Sequence, residues 1–259
     1  MKKLLKIFIG IIGVFALGVA FVFYLTSEMT DNADAFFSSI QKGDISSARN
    51  YLSEDFKAST DAAALKDFLS NSALIHFKEA SWSSRQVSGG MGELNGSVTT
   101  NTGGVIPLKL LFVKENGSWK IYAIQKPTAG LQSQENSPSI PSAKEQETLV
   151  QRAVFDFGTS LNKKDMTIFR DSVSILWQKQ VTKEQLEDAF RSMYDSGDFT
   201  ALATLAPKIE PVSELGENGE LVLKGYFLSG KHKVTFTQKY IYEGIAWKLF
   251  SFSIYVDEA

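Results

Sequence analysis

The sequence contains no cysteine, which excludes a disulfide framework, a thiol nucleophile and a lipid-modified cysteine. Histidine occurs only at His76 and His232, and neither has a second histidine or a cysteine at metal-ligand spacing. His76 reads as a partly buried strand residue and His232, beside lysines near a turn, as solvated. No metal site and no cofactor is expected. An excess of positive charge is also missing. The formal net charge is −2, and setting aside Lys2, Lys3 and Lys6 leaves 24 basic residues against 29 acidic ones. Nucleic-acid binding draws much of its affinity from neutralised phosphates, so a mildly acidic body gives no reason to expect it. There is no serine-hydrolase elbow, phosphate loop or pair of metal carboxylates, and no catalytic residue is nominated.

What is present is ordinary globular material: 44% of the 259 residues are apolar and 22% charged, enough for two cores. The first marked feature is a run of 19 residues from Ile7 to Leu25 without a charge, preceded by the three lysines. At 1.5 Å per residue its length matches a hydrocarbon core. A cleaved signal peptide would have a shorter apolar region ending at a small-x-small site, which Gly18-Val19-Ala20 resembles. The run continues through Phe21 to Leu25, as an uncleaved anchor would. Lysines on its N-terminal side place residues 1–6 in the cytoplasm and everything after Leu25 outside it. The lipid bilayer, through residues 7–25, is therefore one expected partner, and the cytoplasmic membrane the expected location.

The second feature is a repeat. Residues Phe36–Leu69 recur without a gap 121 positions later as Phe157–Phe190, with identities that include Ser39/Ser160, Asp44/Asp165, Arg49/Arg170 and Ser53/Ser174. Apolar positions coincide as well, among them Ile40 with Leu161 and Phe56 with Trp177. A period of that length suits two globular domains rather than a solenoid. The predicted layout is a first domain over 31–126, a linker over 127–143 that holds three of the six prolines, and a second domain over 144–259.

Within the first domain a helix is predicted over Asp34–Lys42, ended by Gly43. A second follows, capped by Asp44, with Ala48, Leu52 and Phe56 in one stripe, and a third starts at Asp61. Period-2 patterning then predicts strands from Leu74, from Val105 to Lys114, and from Trp119 to Ile124 after an Asn116-Gly117 turn. The second domain repeats this order. Helices are predicted from Lys144, after Asp165 and from Thr182, where Thr182 and Gln185 suit a capping box. Strands are predicted at Glu220–Leu228, His232–Tyr242 and Ala246–Val256. The fold class is α+β.

The stretch Phe36 to Asp44, an apolar helix running into a lysine-glycine-aspartate turn, resembles the opening of the nuclear-transport-factor-2-like family. The Gly117 to Ile121 stretch resembles that family's last hairpin. The resemblance implies two tandem cystatin-like α+β rolls, each with three helices packed on a curved antiparallel sheet. Lys164 stands where Gly43 does, a departure at the second helix end. In enzymatic members an Asp or Asp-His base faces an oxyanion donor inside the cone, but the fold also serves ligand binders and structural domains. A membrane anchor ahead of such a domain also resembles the assembly factors of type IV secretion systems, which usually carry one.

Trp119, Trp177, Phe190, Tyr240 and Trp247 are the candidates to line a ligand pocket, or else to fill it. Asp44 and Asp165 read as helix caps, and Asp67 and Asp188 as solvated. The expected function is that of a membrane-anchored envelope protein whose two extracytoplasmic domains bind or scaffold a partner protein without catalysis. The alternative is a small-molecule or isomerase-like site in one cone.

Overall fold

The computed structural model describes residues 27–88, 90–126, 140–195, 197–212, 214–216 and 219–257. The expected anchor at 7–25 and most of the expected linker lie outside them. Two compact units, Met1–Ala129 and Gly130–Ala259, make up the chain. Each carries helices and one four-stranded antiparallel sheet, ordered β1-β2-β3-β4 in the first and β5-β6-β7-β8 in the second.

In the first unit, helix α1 covers residues 27–41. It begins before the expected boundary at 31, because Met29 is fully buried and its sulfur lies against Gly92 in the sheet. Met29, Ala33, Phe36, Phe37 and Ile40 form its buried stripe. Gly43, at φ +74°, ends it in the left-handed region. The chain continues through α2 (Ile45–Arg49), α3 (Glu54–Ser59) and α4 (Ala62–Asn71). The sheet follows as β1 (Phe77–Ser88), β2 (Met91–Thr100), β3 (Val105–Glu115) and β4 (Ser118–Gln125).

Two expectations are corrected here. Ala48, Leu52 and Phe56 are all buried, but not on one helix. The chain opens between α2 and α3, where Leu52 forms an isolated bridge with Ile121 and Ser53 caps α3 by accepting from Phe56 N. A long-range backbone pairing overrides the helical period. The strand expected from Leu74 starts at Phe77, since Leu74–His76 is a 3-10 turn entered through Ala73 at φ +58°. His76 is consequently exposed rather than part of the sheet.

The second unit has α5 (Ala143–Lys163), α6 (Thr167–Ser172), α7 (Ile175–Gln180) and α8 (Lys183–Phe190). A short α9 (Phe199–Leu202) precedes β5 (Lys208–Ile209), β6 (Leu221–Ser229), β7 (His232–Glu243) and β8 (Ala246–Asp257). Capping boxes start α5 at Ser142/Glu145 and α8 at Thr182/Gln185. The helix predicted after Asp165 is again two pieces, with Ser174 capping α7 through Trp177 N. Helix α9 and strand β5, which no periodic pattern announces, are additions to the predicted plan.

The two units share their internal braces. Ser53 N donates to Ile121 O at 2.9 Å, and Ser174 N to Leu249 O at 2.8 Å. Glu54 N donates to the Glu115 carboxylate at 3.1 Å and Ile175 N to that of Glu243 at 2.9 Å. Each glutamate ends a strand just before a tight turn, so a negative group meets the free N–H groups of a helix start. One β-bulge recurs too, with Tyr122 of β4 the extra residue opposite Leu111 and Phe112, and Phe250 of β8 the extra residue opposite Lys239 and Tyr240. Gly96 and Gly225 occupy matching sheet positions. A Cβ on either would lie 2.1 Å from a carbonyl oxygen of the neighbouring edge strand, that of Ser81 or Lys208, so only glycine admits that approach.

Candidate functional site

Between the helices and the sheet of each unit the side chains are apolar and buried. In the first, Phe36, Phe37, Leu65, Leu69, Leu94, Leu108, Leu110 and Phe112 are buried to 1% exposure or less. In the second, Phe157 is ringed by Phe169, Phe190, Phe199 and Phe252 at centroid distances of 5.3, 4.9, 5.7 and 4.8 Å. Three of these contacts are edge-to-face and that with Phe252 is tilted, packing that adds to the burial energy of about 1.5–3 kcal/mol for a buried phenylalanine.

The five aromatic candidates do not converge. Trp119 belongs to the first unit, where Lys114 Nζ lies 5.4 Å from its ring centroid. Its backbone is held by α1, with N donating to Glu28 at 3.2 Å and O accepting from Asn32 at 2.7 Å. Trp177 packs edge-on against Phe169 at 5.9 Å, and Phe190 belongs to the Phe157 ring. Trp247 stands against Tyr242 at 5.4 Å. All four in the second unit pack into or against its core.

Tyr240 is different, because it brings a hydroxyl into that core. It is 2% exposed, and its hydroxyl lies 3.0 Å from the Leu149 carbonyl of α5 and in contact with the amide of Gln238, itself fully buried. Burial pushes the phenol well above its ordinary pKa, so it stays a neutral donor. With Oε1 toward the hydroxyl, both neighbours are acceptors and Gln238 Nε2 has no hydrogen-bond partner. The hydroxyl has one proton. Reversing the amide lets Nε2 donate to Tyr240 while Tyr240 donates to Leu149, which leaves one amide oxygen unmatched instead. At the matching strand positions the first unit has Leu110 and Phe112, both fully buried. The polar pair is thus peculiar to the second unit.

The repeated acidic residues are occupied structurally. Asp44 accepts from Ser47 N and Oγ at 2.9 and 2.6 Å, and Asp165 from Thr167 N and Oγ1 at 2.9 and 2.6 Å. These bonds hold both carboxyls below the ordinary range, Asp165 at about 2 with Lys183 adding to the effect. Asp67 is exposed, and Asp188 is exposed and paired with Arg191. No group of three or more His, Cys, Asp or Glu is arranged to hold a metal among the described residues.

No family model matches this chain. No curated protein matches it either. Among solved structures, a cystatin-like protein from Ruminococcus gnavus aligns over 91% of both chains at 11% identity, with a TM-score of 0.31. At that score the likeness decides nothing about function, and the α+β class rests on the helices and sheets themselves.

A hollow of about 230 Å³ opens in the second unit where the β6–β7 hairpin, α9 and the end of β8 meet. Its lining includes Asp198, Phe199, Ser229, His232 and Val256. Asp198 is already committed to Thr200 and to Asn162. The solvated position expected for His232 agrees with its exposure at the first residue of β7. Its members come from three separate segments with no shared motif, so no spacing in the sequence marks it.

Proposed function

We propose that this chain is a single-pass membrane protein of a bacterial-type cell envelope, with two nuclear-transport-factor-2-like rolls outside the cytoplasm that bind a partner protein. The polypeptide acts through its surfaces rather than by catalysis. The observation that carries this reading is the burial of apolar side chains inside both units, with Asp44 capping α2 and Asp165 bonded to Thr167 at the start of α6. Arg49 and Arg170, another repeated charged pair, are likewise turned inward onto helix carbonyls. The anchor rests on the uncharged Ile7–Leu25 run behind three lysines. Two modules tethered beside one bilayer gain avidity for a membrane-associated partner. Carbonate extraction and protease shaving of intact cells test the topology. The protein should stay with membranes and lose its body to external protease; release by carbonate, or full protection in cells whose envelope is open to protease, would refute it.

A second reading is favoured by the Tyr240–Gln238 pair, a polar insertion into an otherwise apolar core. It places a small-molecule site in the cone of the second roll. Native mass spectrometry of the purified chain distinguishes the two, since a stoichiometric adduct lost on Tyr240→Phe would support the second.

A further inference from the structure

Strand register sorts the second unit's sheet into two faces, and the face away from the helices is basic. Lys208 lies opposite Tyr226, two residues from Lys224. Lys224 lies opposite Thr237, two residues from Lys239. Lys239 lies opposite Ser251, and Lys248 opposite Ile241. Successive lysines are therefore diagonal neighbours about 7–8 Å apart, a row that crosses all four strands. Lys233 shares the face, its Nζ 4.5 Å from the Tyr226 ring centroid. Four of the five lysines are exposed and Lys248 is half-buried. None of the five is in a salt bridge among the described residues. The acidic residues nearby are Glu210 and Glu214, which line one hollow together with Lys224, and Asp257, whose backbone pairs in register with Lys233.

Beside the row, at the hairpin end of the same face, Leu228 and Tyr255 are 59% and 65% exposed. The first unit keeps one of these lysines, Lys120 at the position of Lys248, and lacks the rest of the row. Its residues at the positions of Lys224, Lys233 and Lys239 are Asn95, Val105 and Leu111, and its Lys109 is neutralised by Glu93 at 2.9 Å. Shared architecture therefore does not require the basic row.

We propose that the outer sheet face of the second unit docks on an anionic lipid surface. Resting on the membrane-anchored reading above, the proposal adds a bilayer-facing role for this unit. Lysines attract the headgroup phosphates while Leu228 and Tyr255 enter the interfacial layer, the combination that holds peripheral proteins to acidic bilayers. A linear polyanion would engage the lysine row but leaves the exposed apolar pair without a role.

The absence of cysteine allows a single fluorophore at Leu228→Cys. Full-length protein carrying it is reconstituted in nanodiscs of phosphatidylcholine, with and without phosphatidylglycerol, and a lipid-borne quencher reports contact. Quenching is expected in the anionic discs alone and should fade as salt is raised. At about five-fold per lysine, the double reversal Lys224→Glu/Lys239→Glu should weaken docking at least about 25-fold. Equal quenching in both lipids, or none in either, overturns the proposal. So does a response to added polyphosphate in neutral discs without a response to phosphatidylglycerol. If the chain does not enter discs, the anchoring reading fails separately. The same label is then read against vesicles of the two compositions, where equal quenching overturns the docking.

Discussion

Arg49 donates from Nη1 to the Thr60 carbonyl at 2.7 Å, and from Nη2 to that of Lys57 at 3.2 Å. In the second unit Arg170 reaches the carbonyls of Val181 and Gln178, at 3.3 and 3.0 Å. Both pairs of carbonyls are 121 positions apart in sequence, as the arginines are. Each guanidinium thus closes the C-terminal end of a short helix, α3 or α7, whose last carbonyls have no partner within the helix.

Replacing either arginine by alanine removes two charge-assisted bonds and should cost about 1.5–3 kcal/mol of stability. Lysine should restore only part, because a single ammonium does not reproduce the fork. Urea unfolding of Arg49→Ala, Arg49→Lys and the Arg170 counterparts checks this; losses within error of zero would mean that the carbonyls are equally well served by water.

The Tyr240–Gln238 pair supplies a second test. Tyr240→Phe strands the buried Gln238 amide and should cost about 1–3 kcal/mol. Adding Gln238→Leu copies the Leu110/Phe112 arrangement of the first unit and should recover most of that loss. A double variant less stable than the single one would indicate that the polar pair is worth more than an apolar core at this place.

Lys164 ends α5 at φ +51°, where Gly43 ends α1 at +74°. The left-handed conformation is easy for glycine and strained for lysine. Lys164→Gly should therefore raise stability by about 1 kcal/mol, and Gly43→Ala should lower it by a similar amount. Thermal melts of the two variants should move in opposite directions. The exposed Lys164–Asp195 ion pair lost in the first variant offsets little.

Asp165 has a carboxyl held at about 2, chiefly by its bonds to Thr167. A depressed pKa in the folded state means that its contribution is present above the ordinary carboxylate range and is lost as pH falls toward 2. Stability should decline across that interval, and less steeply in Asp165→Asn. Carboxyl-carbon NMR of Asp165 gives the midpoint directly; titration near 4 would remove the argument.

Much of this architecture was legible because local rules govern it. Thr182, Asp44 and the Asn116-Gly117 turn each act within a few residues, and each appears where local chemistry predicts. Leu52 leaves the helical stripe because its bridge to Ile121 is made across 69 positions, beyond the reach of any periodicity. Of the five aromatic candidates Trp119 and Tyr240 are buried and Trp177, Phe190 and Trp247 half-buried, and aromatic character alone does not say which of them share a neighbourhood. Glu115 and Glu243 could have been found, since each stands immediately before a tight turn and a tryptophan strand. The lysine row could not have been read from spacing alone. Lys208, Lys224, Lys239 and Lys248 align only once the register of four strands is known.

The most direct test of the central claim is mild crosslinking of the full-length protein in its own cells, followed by affinity capture and mass spectrometry. Reproducible crosslinks from surface residues of the two units to one envelope protein are the predicted result. A protein that is captured alone, runs as a lone species in gentle detergent and carries a bound small molecule would contradict it.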